Sequence, residues 1–347
     1  MKGLVKTARG PGNIEVRELP VPSIKNDDEV LIKITAAGVC GTDIHIYRDE
    51  FPYWPPVVMG HEFSGVIEEV GPAVKGFAPG DRVVAEPHTH FCGSCYLCRG
   101  GHIQICPEKR SPGWGMDGAF AAYLVMPSLF LHHLPGGISG EVAALTEPAA
   151  IVVTGVAERG KAGVGDTVVI VGAGPIGLLS LVTAKAAGAK QVFVLGTDAD
   201  EGMRFPAAKA LGAGEVFNVT RVDPAERILE ATGGIGADLA VEASGAAEGI
   251  NAAAAAVKNM GRLAVLGLPG RETIPVAWET MVRKALEVSF CFSSSVSSWE
   301  KAISLLSSSP LDLKVLISHR TRIDNWEQVF ADIEAGKAIK ALFIPQD

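Results

Sequence analysis

A short strand that leads into a glycine-rich turn and a helix restricts the folds open to this 347-residue chain. TVVIV at 167–171 is a continuous β-branched run, typical of a strand buried on both faces. GAGPIG follows and places Gly172, Gly174 and Gly177 in G-x-G-x-x-G spacing, with Pro175 near the helix start. In dinucleotide-binding turns these glycines permit the tight turn, the approach of the pyrophosphate and close helix packing. A lone motif of this kind is weak evidence for a dinucleotide-binding turn, so the interpretation depends on the segments around it.

Strands and helices alternate beyond residue 166. The predicted later strands are 191–195, 215–219, 238–245, 262–270 and 287–292. About six alternations predict a doubly wound parallel sheet, a Rossmann domain that we place at residues 151–292. The residues predicted to bind the dinucleotide outside its adenosine ribose are Gly172, Gly174, Pro175, Ile176, Gly177, Leu266 and Gly267.

The adenosine ribose is expected to contact the segment after the second strand. Asp198 and Asp200 lie about twenty residues beyond the glycines, where a carboxylate accepts from the ribose 2′-hydroxyl and repels a 2′-phosphate. Arg204 and the Gly-Thr pair at 196–197 are the conflicting feature, because they could hold that phosphate. The sequence favours NAD and leaves NADP possible.

Residues 1–150 have a different organisation, with short β-rich segments separated by glycine and proline. The segments 30–39, 63–70 and 79–87 are examples. This pattern predicts a twisted, partly closed antiparallel β domain. We expect about 293–347 to complete this domain, through a final strand at ALFIP.

Four of the six cysteines fall within fifteen residues, in CGSCYLCRGGHIQIC at 92–106. Cys92, Cys95, Cys98 and Cys106 form a C-x2-C-x2-C-x7-C pattern, which favours a closed tetrahedral zinc site with a structural role. An iron–sulfur cluster is the competing interpretation, since clusters bind cysteine runs of similar spacing.

A second candidate metal site lies in residues 39–65. Cys40 and the His61-Glu62 pair supply a thiolate, an imidazole and a carboxylate, and so few protein ligands leave room for a substrate oxygen. The alternative is that these side chains only pack. Glu147, which precedes a proline in an apolar run, is either an ordinary first-turn glutamate or a carboxylate directed at the site.

Composition excludes several classes of function. The net charge is −8 and no long basic run occurs, which argues against nucleic acid as a partner. The start, MKGLVKTARGPG, has no apolar core of a signal peptide, and no uninterrupted apolar run reaches the ~18 residues of a membrane span. A cytoplasmic enzyme with a small-molecule substrate and no membrane partner is the expectation.

These motifs, in this order, resemble the zinc-dependent medium-chain dehydrogenase/reductase family over essentially the whole chain. Gly-His-Glu at 60–62, the four-cysteine segment and GAGPIG carry the resemblance. It implies a GroES-like catalytic domain, an inserted Rossmann domain, two zinc ions per chain, NAD or NADP, and a dimer or tetramer. The chain has no cysteine between 107 and 290, and Glu147 stands at the matching place. A glutamate in place of that cysteine resembles the sorbitol (polyol) and threonine dehydrogenase branch of the family.

The resemblance also implies roles for individual residues. Cys40 and His61 become ligands of the catalytic zinc, Glu62 binds it directly or through water, and Glu147 is an exchangeable fourth ligand. A further three residues are implied to relay protons or to orient the ligands: Thr42 and His45 for the relay, and Asp43 as the carboxylate that orients His61.

The implied reaction is hydride transfer from a secondary alcohol to the nicotinamide, which gives a ketone. A polyol is the first substrate class, with L-threonine and butanediol as alternatives. A different class also stays open, in which a zinc-stabilised protein senses nucleotide without turnover.

Overall fold

A computed structural model describes residues 1–345 of the chain. Two compact units emerge. The first consists of Met1–Glu147, Ser295–Ser308 and the chain from Ile317 onward, and the second of Pro148–Ser294 with Ser309–Leu316.

The strands, in chain order, are β1 Lys2–Lys6, β2 Ile14–Glu18, β3 Glu29–Gly38, β4 Val57–Val58, β5 Glu62–Val70, β6 Arg82–Ala85, β7 Tyr123–Pro127, β8 Leu131–His133, β9 Thr167–Val171, β10 Gln191–Gly196, β11 Glu215–Asn218, β12 Ala237–Glu242, β13 Val257–Val265, β14 Glu287–Phe290, β15 Ile317–Thr321 and β16 Lys340–Phe343.

The α-helices are α1 Gly41–Tyr47, α2 Tyr96–Arg99, α3 Gly140–Ala143, α4 Thr146–Val152, α5 Pro175–Ala186, α6 Arg204–Ala210, α7 Pro224–Ala231, α8 Ala247–Ala256, α9 Trp278–Arg283, α10 Val296–Ser308 and α11 Trp326–Glu334. A π-helix continues α4 over Val153–Arg159. Short 3-10 turns occupy Ile103–Ile105, Ser128–Phe130, Asp198–Asp200, Leu313–Leu316 and Ile323–Asn325.

The first unit is built on the long strand β3. It pairs antiparallel with β5, β7 and β16, within a sheet ordered β15-β16-β3-β5-β6-β8. A second, small sheet has the order β2-β1-β4. The apolar faces enclose a core that includes Ile32, Ile46, Met59, Phe120 and Phe343. The twisted antiparallel domain predicted from the glycine and proline pattern is confirmed, and β16 brings the C-terminal strand into it.

The second unit is a six-stranded parallel sheet in the order β11-β10-β9-β12-β13-β14. Val168, Val169 and Ile170 of the central strand β9 are fully buried, as a β-branched run covered on both faces requires. The predicted doubly wound fold is confirmed.

Several predicted boundaries differ from the structure, since the strands predicted at 79–87, 238–245 and 287–292 are Arg82–Ala85, Ala237–Glu242 and Glu287–Phe290. Strand β13 begins at Val257 and ends at Val265, so Leu266–Gly270 is loop rather than strand. Its N-terminal part follows α8 without a break and pairs with β12 at Ala237. Residues 309–316 group with the second unit, although the sequence assigned them to the first domain. The segment contains a 3-10 turn over Leu313–Leu316, and the side chains of Leu313 and Leu316 are buried.

The helical residues 140–159 are long and apolar enough to cross a membrane by length and composition, although 78% of that window is buried within the protein. An apolar helix of this length that is mostly buried is equally typical of a protein core.

A partly buried histidine, His132, links α10 to β8 in the first unit and supplies a pH prediction. His132 stacks on the buried ring of Trp299, with centroids 5.5 Å apart, and bonds Glu86 at 3.0 Å and Glu300 at 2.8 Å. Burial lowers the pKa of His132, but the two carboxylates outweigh it and raise the pKa above its usual 6.5. Glu86 also faces His88, at 3.7 Å.

Because the folded-state pKa of His132 is raised, its contribution to stability is present below pH ~6.5 and is lost as pH rises through the folded value. We expect His132→Gln to lower the free energy of unfolding by about 1.5 kcal/mol at pH 5.5 and by less at pH 8.5. Urea unfolding monitored by tryptophan fluorescence at both pH values measures this. A larger loss at pH 8.5 would contradict the assignment.

Candidate active site and cofactor cavity

The first unit brings Cys40, His61 and Glu62 together. Cys40 lies between β3 and α1, and His61 and Glu62 lie at the start of β5. One ligand atom from each residue lies within 4.8 Å of the other two. Adjacent residues of a straight strand point to opposite faces, so the sequence required a bend here. Gly60 supplies it with φ +92°, a left-handed conformation that favours glycine.

Asp43 lies behind His61. Its Oδ1 is 3.8 Å from His61 Nδ1, an ion-pair distance longer than a hydrogen bond, and its Oδ2 accepts from the Cys40 backbone N–H at 2.8 Å. Asp43 Oδ1 and His61 Nδ1 are both buried without a hydrogen-bond partner. A carboxylate beside one ring nitrogen is the arrangement by which a metal-ligating histidine is oriented.

Glu62 has a cationic partner that sequence reasoning missed. The Lys340 ammonium donates to Glu62 Oε2 at 2.7 Å, to Oε1 at 2.9 Å and to the carbonyl of Val39 at 3.1 Å. Both side chains are almost completely buried, with exposures of 3% and 1%. The available signal was a lysine that opens a strongly apolar C-terminal strand, since a buried lysine requires an acidic partner.

Glu147 is buried near this group but outside the tight cluster of Cys40, His61 and Glu62. Its Oε2 has no hydrogen-bond partner. Burial raises the pKa of Glu147 to about 7, although the charge of His61 opposes the rise. Burial likewise raises the pKa of Asp43 to about 6. Both pKa values are raised because too little positive charge lies near these two buried carboxyl groups to stabilise their ionised forms.

The pKa of His61 shows the same excess of negative charge around the site. Burial would lower the pKa of His61, but the hydrogen bond to Cys40 and the negative charges of Cys40 and Asp43 raise it to about 10. A thiolate and several carboxylates thus surround one imidazole, with Lys340 paired to Glu62. This donor set fits a divalent zinc ion, which takes thiolate, imidazole and carboxylate ligands.

The two residues predicted to relay protons lie in the first turns of α1. Thr42 Oγ1 is 3.7 Å from Cys40 Sγ, within hydrogen-bond distance for sulfur. His45 is partly exposed, and its Nδ1 lies 2.9 Å from Glu50 Oε2. The structure therefore places Thr42 at the candidate metal site and His45 one helical turn further, toward solvent.

The four-cysteine segment closes around a single point. The sulfur of Cys92 lies 3.9 Å from that of Cys98 and 3.7 Å from that of Cys106, and all four sulfurs lie within 4.8 Å of one another. Sulfurs around a tetrahedral zinc with bonds of about 2.3 Å stand about 3.8 Å apart. Backbone N–H groups of Cys95 and Ser94 lower the pKa of Cys92 to about 6, whereas burial and the neighbouring thiols raise the pKa of Cys98 to about 12. The geometry fits one zinc ion.

The glycine-rich turn of the second unit has the close approach expected of a dinucleotide fold. A Cβ on Gly177 would lie 1.8 Å from the carbonyl oxygen of Gly172, so only glycine allows α5 to start this close to β9. Pro175 is the first residue of α5, with Gly174 before it. The N-terminus of this twelve-residue helix is therefore available to phosphate.

A cavity of about 610 Å³ opens at the C-terminal ends of β9 and β10. Gly172 and Gly174 line one part of it, and Thr197, Asp200 and Arg204 line another. The remaining predicted cofactor residues do not line this cavity: Pro175, Ile176, Gly177, Asp198, Leu266 and Gly267. Gly267 instead packs on the backbone of Gly245, so it belongs to the loop that follows β13.

Comparisons with known proteins agree with this fold. The model of the alcohol dehydrogenase GroES-like domain matches residues 26–136, and the model of the zinc-binding dehydrogenase domain matches residues 175–308. The chain is 38% identical to the sorbitol dehydrogenase of Halalkalibacterium halodurans, over 100% of both chains. It is 36% identical to the L-threonine 3-dehydrogenase of Pyrococcus horikoshii, over 99% of this chain and 98% of that one.

Among solved structures, a zinc-binding dehydrogenase from Sinorhizobium meliloti, bound to NADP, is similar with a TM-score of 0.91 and 31% identity, over 99% of both chains. Fold and site together define a zinc-dependent alcohol dehydrogenase that uses NAD(P). The chain belongs to the zinc-dependent medium-chain dehydrogenase/reductase family.

Proposed function

We propose that this enzyme oxidises a secondary hydroxyl group of a polyol to a ketone and reduces NAD(P). One observation carries the proposal: the metal-ligand group combines one thiolate and one imidazole with carboxylates, Glu62 within the group and Glu147 beside it. A polar, carboxylate-rich site suits a substrate with neighbouring hydroxyl groups, which donate hydrogen bonds to carboxylates. The identity with a sorbitol dehydrogenase supports the same substrate class.

We further propose that Cys40 and His61 hold the catalytic zinc, with Glu62 and Glu147 as the carboxylates beside it, and that Cys92, Cys95, Cys98 and Cys106 hold a structural one. When bound, the catalytic zinc lowers the pKa of the substrate hydroxyl and polarises the product carbonyl. Lys340 donates to both carboxylate oxygens of Glu62, so Glu62 lies beside the metal position as half of a buried ion pair. Asp43, whose Oδ1 lies 3.8 Å from His61 Nδ1, is the carboxylate that would orient the His61 ring.

The hydroxyl proton requires a path out of a buried site. Thr42 is positioned to accept a hydrogen bond from the substrate, since its hydroxyl already lies beside Cys40 Sγ. His45 is 29% exposed and is held by Glu50, so it can release a proton to solvent. We assign Thr42 and His45 as the inner and outer members of the relay.

L-Threonine is the second candidate substrate. The full-length identity of 36% with L-threonine 3-dehydrogenase favours it. Threonine places an ammonium group next to its hydroxyl, so the same carboxylates would contact a cation instead of a second hydroxyl.

A substrate panel separates the candidates. Sorbitol, xylitol, 2,3-butanediol and L-threonine are supplied to the zinc-loaded enzyme with NAD and, in parallel, with NADP, and reduced cofactor is followed at 340 nm. The proposal predicts that sorbitol or xylitol has the highest kcat/KM, at least tenfold above threonine. Threonine as the best substrate would contradict it. NAD(P) binding without turnover of any alcohol would favour the nucleotide-sensing alternative.

We propose that the enzyme is a cytoplasmic homo-oligomer, a dimer or a tetramer. Strand β14 is the last strand of the parallel sheet and exposes Phe290, with Trp278 and Val282 of α9 also exposed. Exposed apolar side chains beside a sheet edge suit pairing with a second copy of the chain. Reduced cysteines at 92–106 suit a cytoplasmic location, where thiols persist.

A further inference from the structure

We propose that one loop of the first unit, residues 111–118, positions the zinc ligand His61. Two glycines of this loop, Gly113 and Gly118, pack on the backbone of Gly60, which directly precedes the histidine. They are positioning residues, since they act on the metal site only through that backbone. The inference rests on the catalytic zinc centre proposed above and does not depend on which alcohol is oxidised.

A side chain at Gly118 would press on the peptide group that leads into His61. A Cβ at Gly118 would lie 2.1 Å from the carbonyl oxygen of Gly60 and 2.6 Å from that of Met59. The Gly60 carbonyl and the His61 nitrogen belong to one planar, rigid peptide unit. Pressure on this oxygen therefore turns the main chain from which the imidazole projects.

Gly113 meets the same residue at other atoms. A Cβ at Gly113 would lie 2.8 Å from both the nitrogen and the carbonyl carbon of Gly60. Gly113 also has φ +85°, a left-handed conformation that favours glycine. The Phe120 ring lies 2.4 Å from the position that a Cβ of Gly60 would take. Gly60 is thus confined by both loop glycines and by an aromatic ring.

Hydrogen bonds fix the end of the loop on the stretch before the zinc ligand. The Gly118 N–H donates to the carbonyl of Val58 at 2.8 Å, and the Ala119 N–H donates to the carbonyl of Gly60 at 2.9 Å. The Asp117 carboxylate accepts from the Val58 N–H at 2.9 Å. The two segments therefore form one hydrogen-bonded unit.

The loop is also anchored away from Gly60, so it resists displacement. The Ser111 hydroxyl donates to the carbonyl of Pro87, and the Trp54 backbone N–H donates to the carbonyl of Trp114 at 2.8 Å. The Trp114 ring packs against another aromatic ring, with centroids 5.6 Å apart. We therefore expect a methyl group added at either loop glycine to displace the main chain of the zinc ligand.

Metal affinity of the full-length enzyme tests this without turnover. Zinc is competed against a chromogenic chelator while total zinc is counted, and the d–d absorption of the cobalt-substituted enzyme reports the ligand geometry. A catalytic constellation must be held within about 0.5 Å of its productive geometry. We expect Gly118→Ala to weaken one of the two zinc ions at least about tenfold, to change the cobalt spectrum, and to leave the other zinc within about twofold.

Two glycines elsewhere in the first unit supply matched controls. A Cβ at Gly71, which follows β5, would lie 2.4 Å from the carbonyl oxygen of Asp27, so Gly71→Ala introduces a similar clash with backbone. Gly76 has φ +80° and nothing within 4 Å of a Cβ, so Gly76→Ala matches the backbone strain of Gly113→Ala without its contact. Both controls should keep the two zinc affinities within about twofold and the cobalt spectrum unchanged.

Gly113→Ala is the milder loop variant, and it should show the same selective weakening, so it remains decisive if Gly118→Ala does not fold. Wild-type affinity for both zinc ions in a folded loop variant would overturn the proposal. Equal weakening in Gly71→Ala or Gly76→Ala would also overturn it, because the effect would then be general destabilisation. A wild-type enzyme with a single zinc ion per chain would instead contradict the zinc centre on which the proposal rests.

Discussion

Replacing Lys340 with methionine is expected to destabilise the protein more than any other single change at the site. The ammonium is 3% exposed and bonds both oxygens of a carboxylate that is itself 1% exposed. Removing one partner of a buried ion pair leaves an uncompensated charge, which costs about 3–5 kcal/mol of the free energy of unfolding. Urea unfolding of the zinc-loaded protein at pH 7 measures the loss.

Two variants control for this effect. Lys337→Met removes an exposed lysine three residues earlier and should change stability by less than about 0.5 kcal/mol. The double variant Glu62→Gln with Lys340→Met removes both charges and should recover most of the loss, because the penalty arises from the unpaired carboxylate. A single Lys340→Met variant that loses less than about 1 kcal/mol would contradict the buried pair.

Replacing Cys40 with serine is expected to remove catalysis with little effect on the fold. Cys40 contributes the sulfur to the group of Cys40, His61 and Glu62, whose candidate ligand atoms lie within 4.8 Å of one another, and the four-cysteine segment is a separate group. We expect kcat/KM for the best polyol to fall at least ~10³-fold, since a metal at the reacting oxygen supplies several kcal/mol of transition-state stabilisation. Zinc analysis should show the loss of one ion and the retention of the other.

Cys291→Ser is the matched control for Cys40→Ser. Cys291 is a buried free cysteine that belongs to neither metal-ligand group within residues 1–345. Its replacement should leave the zinc content unchanged and kcat/KM within about twofold. Loss of both zinc ions in Cys40→Ser, or turnover equal to wild type, would contradict the assignment of Cys40.

Local patterns in the sequence predicted those parts of the structure that short-range spacing defines. The four cysteines, the glycine-rich turn and the β-branched strand before it each specify a geometry through neighbours along the chain. The pairing of Glu62 with Lys340 joins residues 278 positions apart, and no local pattern connects them. Only the antiparallel pairing of β3 with β5 and β16 brings them together.

The segment predicted to contact the adenosine ribose shows a second limit of prediction from sequence. Counting residues from the glycines identified Asp198 and Asp200 as candidates, but counting does not reveal what a side chain contacts. Asp200 closes the turn by bonding Thr197 and Arg204, and Asp198 bonds Asn218 on the next strand. Hydrogen bonds of aspartate to nearby backbone are frequent in turns and compete with ligand binding.

The most direct test of the zinc centre at Cys40 and His61 is an anomalous difference map from crystals of the purified enzyme, collected on both sides of the zinc absorption edge. We predict two zinc peaks per chain, one enclosed by Cys92, Cys95, Cys98 and Cys106, and one bonded to Cys40 and His61 with Glu62 still paired to Lys340. A map with only the first peak, from zinc-supplemented and catalytically tested crystals, would contradict the account.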